Sequence, residues 1–286
     1  KKYRIPADTI VGSGELRVFD ESQFRVGAAD STSFSLSAFG DEAHLFSANV
    51  AGELTGWHAG ASFGASYNGV SFGRHVTSDG RALMVPQSQV SLKRSNFGPR
   101  LSPVVITEIH FQPSPVNGAD NVLDEFIEIR NATLDNVSLF DSKFPTNRWR
   151  VRGGIEFDFP AGQSLASGAF ALVVGFDPVL TPDITASFRR QFSIPQSVAI
   201  YGPWNGKLSN LGESVRLLAP DEPVPAPASN AGEVAYVLLD AVDYRSSQPW
   251  PTGASGTGKS LQRVSSRRFA NDPVEWRVAE PTAGRI

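Results

Sequence analysis

The sequence predicts an all-β fold, either a sandwich or a barrel. Glycine (26 residues) and proline (20 residues) recur along the 286-residue chain and divide it into short segments. In many of these segments apolar and polar residues alternate, which is the pattern of half-buried strands that lie between turns. A helical pattern is confined to one short stretch. Many short alternating runs with frequent turn residues are typical of sandwiches and barrels.

Six runs show the two-residue alternation and are predicted to be strands. In chain order they are ELRVFD (15–20), VVITEIHF (104–111), EFIEIR (125–130), RWRVR (148–152), SVRLL (214–218) and VAYVLLDAVDY (234–244). ITASFRRQF (184–192) is predicted to form a short helix. DEPVPAPASN (221–230) separates the last two strands, and its prolines favour an extended, weakly packed conformation. We therefore predict a long exposed hairpin loop there.

The chain contains two copies of one pattern. Three stretches of the first copy (3–19, 36–46 and 69–74) recur in the same order in the second copy (157–174, 208–218 and 258–263). A repeat of this length indicates two copies of a supersecondary unit, so we predict domains at 1–101 and 102–286. Residues 104–156 have no counterpart in the first copy. The first domain is therefore predicted to lack its N-terminal strands and to have an open sheet edge, or to be completed by another chain.

The ordered motifs of the second copy resemble the lamin tail domain of bacterial secreted and surface proteins. They are ITEIHFQPSP (106–115), DEFIEIRN (124–131), FPAGQSLASGAFALVV (159–174), LSNLGESVRLL (208–218), QPWPTGASGTGKSLQR (248–263) and DPVEWRVAEPTAG (272–284). Residues 3–101 resemble the later two-thirds of a second such domain. The resemblance implies tandem immunoglobulin-like β-sandwich domains, an extracellular location, and a binding or scaffolding role rather than catalysis. The insertion DEPVPAPASNAGE (221–233) departs from the family pattern.

The composition is globular and argues against several classes of protein. The formal net charge is −3, so no basic surface for nucleic acid is predicted. No apolar run approaches the ~18 residues of a membrane span, so no membrane insertion is predicted. Cysteine is absent, which excludes disulfides, thiolate metal sites and cysteine nucleophiles.

One stretch matches a nucleotide-binding motif. GASGTGKS (253–260) satisfies the phosphate-loop pattern G-x-x-x-x-G-K-[ST]. A working phosphate loop follows a buried strand and precedes a helix whose N-terminus binds the anion. Here Pro249 and Pro251 precede the loop, and SLQRV after it alternates like a strand. We predict a glycine-rich turn that enters a strand, and no nucleotide partner.

Acidic residues are concentrated near the first two strands of the second copy. If 104–111 and 125–130 pair, Glu108 and Glu128 approach one another across the sheet, and two adjacent carboxylates repel unless something compensates. One hypothesis is a calcium site formed by Glu108, Asp120, Asp124 and Glu128, because calcium prefers carboxylate oxygens. The alternative is that the two glutamates cap backbone N–H groups or pair with Arg130, Arg148 or Arg150.

Aromatic residues suggest a second kind of site. YGPWNGKLSN (201–210) places Trp204 in a polar turn flanked by glycines. Exposed aromatic rings on a β-sandwich can stack on sugars, so Tyr201 and Trp204 are the candidate ligand-binding residues. The alternative for tryptophan is ordinary burial in the core, which also applies to Trp149, Trp250 and Trp276.

These observations leave four functional hypotheses. The first is a noncatalytic module of a secreted or cell-surface protein that binds other protein chains or extracellular matrix, assembles, or spaces domains. The second is a carbohydrate-binding accessory module of a secreted hydrolase. The third is an enzyme, which is disfavoured because GASFGAS (60–66) lacks the helix signal of a nucleophile elbow. The fourth is DNA binding, which the charge balance disfavours.

Overall fold

The computed structural model describes residues 3–24 and 33–285, and the chain is mostly β. It divides into two compact units. Unit 1 spans Lys1–His75 and Leu83–Arg100, and unit 2 spans Val76–Ala82 and Leu101–Ile286. The immunoglobulin-like, lamin-tail-like identity of either unit stays a prediction.

In its described residues unit 1 contains one four-residue helix, one complete hairpin and most of a second hairpin, whose tip at Val76–Ala82 belongs to unit 2. Helix α1 is Glu21–Phe24. The first hairpin pairs β1 (Gly40–Ala48) with β2 (Leu54–Gly64) in an antiparallel sheet of two strands. The second two-stranded sheet consists of β3 (Phe72–Val76) and β4 (Ala82–Pro86). Both sheets are smaller than the six-stranded and five-stranded sheets of unit 2.

The prediction of a strand at 15–20 is wrong. Residues 15–20 have no regular secondary structure, and Leu16 is exposed. No strand in the described part of the chain pairs with this run. Alternation alone does not make a strand, because an extended segment is stable only when a neighbouring strand satisfies its backbone groups.

Unit 2 contains thirteen strands and one longer helix in its described residues. In chain order the strands are β5 (Val104–His110), β6 (Phe126–Asn131), β7 (Val137–Ser138), β8 (Arg150–Gly153), β9 (Ile155–Asp158), β10 (Ser164–Leu165), β11 (Phe170–Val174), β12 (Ala199–Tyr201), β13 (Asn205–Gly206), β14 (Gly212–Pro220), β15 (Tyr236–Arg245), β16 (Ser260–Arg263) and β17 (Trp276–Ala279). Helix α2 is Pro182–Phe192, and 3-10 turns lie at Val122–Asp124 and Pro273–Glu275. The five strands and the helix predicted after residue 100 are confirmed, with shifted ends.

Two large sheets organise unit 2. The six-stranded sheet has the order β12-β11-β6-β5-β16-β17, and the five-stranded sheet has the order β13-β9-β8-β14-β15. Every pair is antiparallel except β11 with β12, which is parallel. Strands β14 and β15 pair across the proline-rich segment, which confirms the predicted hairpin loop. Strands β7 and β10 form a separate small sheet.

Both faces of the six-stranded sheet are covered. One hydrophobic cluster contains side chains from both large sheets, such as Ile129 of β6 and Val215 of β14. A second cluster lies on the opposite face, where α2 packs against Phe126. Phe188 and Phe192 of α2 are buried and four residues apart, so they face the sheet together. Strands β5 and β6 are therefore buried on both sides, which places their polar side chains inside the protein.

Candidate functional site

Two buried glutamates face each other across the centre of the six-stranded sheet. Glu108 of β5 lies opposite Glu128 of β6, as the sequence predicts. The register shifts between Ile106 and Glu108, so Thr107 is the extra residue of a β-bulge. Simple alternation predicts that Ile106 and Glu108 share one face, and this is wrong. The bulge turns Ile106 into the core between the sheets and Glu108 towards the other face.

Each carboxylate of the pair is bound by donors of this chain. Glu108 Oε1 accepts hydrogen bonds from Ser260 Oγ (2.5 Å) and from the backbone N–H of Thr282 (3.1 Å). Glu108 Oε2 accepts one from Thr282 Oγ1 (3.0 Å). Glu128 accepts from Thr107 Oγ1 (2.6 Å) and from the Gly284 N–H (2.5 Å). The segment 282–284 therefore lies over the pair and is held by both carboxylates.

Burial dominates the electrostatics of the pair. Glu108 is 1% exposed and Glu128 is 2% exposed. Burial, and then the proximity of Glu108, raise the pKa of Glu128 to about 8. Burial also raises the pKa of Glu108, although the hydrogen bonds from Ser260 and Thr282 oppose the shift. The pair therefore holds a proton at neutral pH, which reduces the repulsion between the two side chains.

The other two residues of the predicted calcium site lie with different partners. Asp120 pairs with Lys207 Nζ at 3.0 Å. Asp124 accepts hydrogen bonds from the amides of Asn121 (2.6 Å) and Gln191 (2.5 Å). In residues 3–24 and 33–285 no three His, Asp or Glu side chains form a group that could hold a metal ion. Glu108 and Glu128 instead accept hydrogen bonds from backbone N–H groups, as the capping alternative describes. The four predicted calcium ligands do not lie together, and the calcium hypothesis stays a prediction.

His110 lies beside the glutamate pair and was missed by sequence reasoning. Its Nδ1 lies 3.0 Å from the Asp124 carbonyl, and its ring packs against Phe126 and Phe192. Burial lowers the pKa of His110 to about 4, so the imidazole is neutral at pH 7. A neutral imidazole supplies no positive charge to the nearby carboxylates. The sequence around a single histidine on a strand does not indicate that its ring is buried.

A third glutamate, outside the pair, is buried near the loop between β13 and β14. Glu125 is fully buried and accepts the Leu208 N–H at 3.0 Å. Burial raises its pKa to about 7. Glu213 lies in the same region and accepts hydrogen bonds from the Ser209 N–H (2.8 Å) and the Tyr244 hydroxyl (3.1 Å). These carboxylates hold the loop by its backbone N–H groups, as Glu108 and Glu128 hold the segment 282–284.

A buried ion pair joins the two large sheets at the bulge. Asp240 of β15 lies 2.6 Å from Arg263 Nη1 of β16, and both side chains are buried. Asp240 also accepts the Ile106 N–H at 2.8 Å, and Arg263 donates to the Ile106 carbonyl at 3.1 Å. The backbone groups that the bulge leaves without strand partners are thereby satisfied. The sequence signal was weak: one aspartate within an apolar run.

Tyr201 and Trp204 lie in the core and do not form an exposed aromatic face. Tyr201 is buried, and its hydroxyl donates to Gln163 Oε1 at 3.1 Å. Trp204 is also buried, but it is among the residues that line a cavity of about 350 Å³. The other lining residues are Val122, Leu123, Gly175, Gly206 and Lys207. Trp149, Trp250 and Trp276 belong to the core as well.

The phosphate-loop motif lies in a turn, as predicted. Residues 253–259 form turns and bends, and Ser260 begins strand β16 rather than a helix. The loop is tied to the end of β5, because the Gly256 N–H donates to the Gln112 carbonyl at 3.0 Å. The helix N-terminus that a phosphate loop uses is therefore missing from this described segment. The absence of a nucleotide partner stays a prediction.

Comparisons with known proteins add little. No protein-family model matches the chain, and a search of curated proteins gives no match. Among solved structures, the chain is similar to a DUF4876 family protein from Bacteroides thetaiotaomicron, with 14% sequence identity and a TM-score of 0.36. The match covers 81% of this chain and 85% of that protein. A TM-score this low carries no argument, so the lamin tail resemblance stays a prediction. Within the described residues, no helix is long and apolar enough to cross a membrane.

Proposed function

We propose that the chain is a noncatalytic β-sandwich module of a secreted or cell-surface protein, and that it assembles with further copies of itself through the hairpin β1–β2. The observation that carries the proposal is the exposure of this hairpin. Its strands pair only with each other in the described residues, and most of their residues are exposed. The exposed side chains include Phe46 (48%), Leu54 (57%) and Trp57 (56%).

An isolated hairpin of this kind has a physical reason to bind another chain. Two strands alone are marginally stable in water, because one pair buries little apolar surface. The outer edges of β1 and β2 also present backbone N–H and C=O groups that an added strand can bind. Strand addition between copies satisfies these groups and covers the exposed apolar side chains. The predicted open sheet edge of the first domain leads to the same proposal.

The environment of the buried carboxylates supports the noncatalytic part of the proposal. A general acid or base has to reach a substrate within hydrogen-bond distance. Glu108 and Glu128 are instead covered by the segment 282–284 and bound by donors of the chain itself. Raised pKa values arise here from burial in a structural role, which also perturbs carboxyl groups in proteins without catalysis.

The self-assembly proposal predicts a concentration-dependent solution mass. We expect light scattering of the full chain to show dimers or larger species whose proportion rises with concentration. Replacing Phe46 and Trp57 with lysine adds charge to both faces of the hairpin, and we expect this variant to remain monomeric. The matched control is Leu134→Lys, which changes an exposed leucine of unit 2. A wild-type chain that is monomeric at every concentration contradicts the proposal.

A second candidate function is carbohydrate binding at the cavity beside Trp204. The observation that favours it is that Trp204 lines this cavity together with Lys207, a hydrogen-bond donor. We expect a bound glycan to change tryptophan fluorescence in the wild type. The change should disappear in Gly175→Ala, because an added Cβ would lie 3.1 Å from Trp204 Nε1. Gly64→Ala is the control, because this glycine does not have a positive φ and an added Cβ would meet no atom within 4 Å. Unchanged fluorescence across a broad glycan panel contradicts this candidate.

A further inference from the structure

Two exposed histidines converge on the hairpin β1–β2. His44 Nδ1 of β1 lies 2.7 Å from His58 Nε2 of β2. The two rings are stacked with centroids 5.0 Å apart, and the ring of Phe46 packs against both, with its centroid 4.5 Å from that of His58 and 6.0 Å from that of His44. The histidines are not direct partners in the register, since His44 lies opposite Gly60. The two rings therefore approach each other diagonally across the hairpin.

Gly60 makes this approach possible. An added Cβ at position 60 would overlap the Nδ1 of His44, so the imidazole occupies the space that a side chain would fill. A glycine in the middle of a strand costs stability, because it packs nothing and loses more backbone freedom. The cost is understandable where another group has to approach the backbone closely, and here that group is the ring of His44.

Glu42 orients the first histidine. Its Oε2 lies 3.1 Å from His44 Nε2. A carboxylate only accepts hydrogen bonds, so Nε2 of a neutral His44 carries the proton and Nδ1 keeps its lone pair. Metal-binding histidines usually donate their other ring N–H to a carboxylate or a carbonyl in this way, which fixes the tautomer and makes the free nitrogen a better ligand. Without a metal ion, His58 Nε2 therefore donates its N–H to His44 Nδ1 at 2.7 Å. In the other tautomer of His58 the proton is on Nδ1, and Nε2 then offers a lone pair to a metal ion.

We propose that His44 Nδ1 and His58 Nε2 chelate one divalent transition-metal ion. Zinc is the ion that tests this. Imidazole nitrogens suit Zn²⁺, Ni²⁺ and Cu²⁺. With Zn–N bonds of about 2.0–2.1 Å and tetrahedral angles, the two nitrogens would lie about 3.3 Å apart. Exposed rings can separate by this small amount. The described residues supply no third ligand, so water occupies the other positions and the ion exchanges readily.

The proposal is tested by calorimetric titration of zinc chloride into the full chain in buffer without chelators. We expect one site per chain, and we expect His44→Gln and His58→Gln each to abolish it. His75→Gln, which changes a histidine of β3, should bind like the wild type. Circular dichroism checks that each variant is folded, which we expect because both rings are exposed. Absence of binding, or equal binding by all four proteins, overturns the proposal.

Two further variants separate chelation from nonspecific binding by histidine. Glu42→Gln keeps both ligands but weakens the acceptor for His44, and we expect affinity to fall by about 10- to 100-fold. Gly60→Ala keeps both ligands and displaces the His44 ring, so we also expect weaker binding. Full affinity in both variants would show that the hairpin geometry is irrelevant, and this outcome also overturns the proposal. The titrations are run at a protein concentration at which light scattering shows a monomer, because the proposed assembly uses the same hairpin.

Discussion

Replacing Asp240 with leucine is expected to destabilise unit 2 by about 3–5 kcal/mol, which is typical for the removal of one partner of a buried ion pair. The substitution leaves the Arg263 guanidinium in the core without its carboxylate, because the Arg263 side chain is only 1% exposed. It also removes the acceptor of the Ile106 N–H at the bulge. Urea unfolding followed by tryptophan fluorescence measures the loss, since Trp149, Trp250 and Trp276 are buried in this unit.

Two companion variants identify the cause of that loss. Glu222→Gln breaks an ion pair with Lys143 whose side chains are more than half exposed, and we expect little change in the free energy of unfolding. The double variant Asp240→Leu with Arg263→Met removes both charges, and we expect it to recover much of the lost stability. If the double variant is as unstable as Asp240→Leu, the uncompensated charge is not the main reason for the loss.

Local patterns in the sequence predicted the parts of the fold that local interactions decide. The helix predicted at 184–192 occurs as Pro182–Phe192, since its apolar residues have helical spacing and proline is favoured at its start. The runs at 104–111 and 125–130 form β5 and β6, and their pairing brings Glu108 opposite Glu128. Each of these features lies in a continuous segment or in two segments close in the chain.

The rest of the site depends on contacts that no local pattern encodes. Thr282 and Gly284, the backbone donors of the glutamate pair, are 174 and 156 residues away from their acceptors along the chain. The bulge at Thr107 inserts one residue and reverses the alternation of β5, so a strict period of two assigns Ile106 to the wrong face. Asp240 and Arg263 give only a weak signal, because an aspartate within an apolar run does not show that it is buried or which residue it pairs with.

The burial of aromatic residues was also not predictable from the local sequence. Tyr201 and Trp204 lie in a segment rich in glycine and polar residues, which suggested exposure, yet both are buried. Phe46 and Trp57 are exposed instead, on strands β1 and β2 of a hairpin that was not predicted. Burial of a tryptophan depends on which sheet covers it, and the sequence of the turn alone does not determine that.

Raising the pH from 6.5 to 8.5 is expected to lower the free energy of unfolding by about 2 kcal/mol, at about 1.4 kcal/mol per pH unit for each proton that only the folded state binds. The folded-state pKa of Glu128 is about 8 and that of Glu125 is about 7, both above the ordinary value of 4.5. The folded state therefore keeps protons that the unfolded chain has lost. Their stabilising effect is fully present below pH 4.5 and is lost as the pH rises through 7 to 8.

His110 limits the interval in which this effect can be measured. Its folded-state pKa of about 4 lies below the ordinary value of 6.5, so the unfolded chain binds more protons between these values. Stability due to His110 therefore rises with pH up to about 6.5 and opposes the effect of the glutamates. Above pH 6.5 the opposition ends, and the decline caused by Glu125 and Glu128 is expected to appear in urea unfolding series.

The variant Glu128→Gln attributes the decline to the glutamate pair. Its amide oxygen can still accept the Gly284 N–H, and its amide group stays uncharged at every pH. We expect the loss of unfolding free energy between pH 6.5 and 8.5 to be less than half as large in this variant as in the wild type. At pH 8.5 the variant should therefore keep a larger share of its stability at pH 6.5 than the wild type keeps. Glu156→Gln, which changes an exposed glutamate of β9, should retain the wild-type decline. An unchanged slope in Glu128→Gln would mean that the pair already carries both charges at pH 6.5, and that the donors from Thr107, Thr282 and Gly284 compensate for its burial.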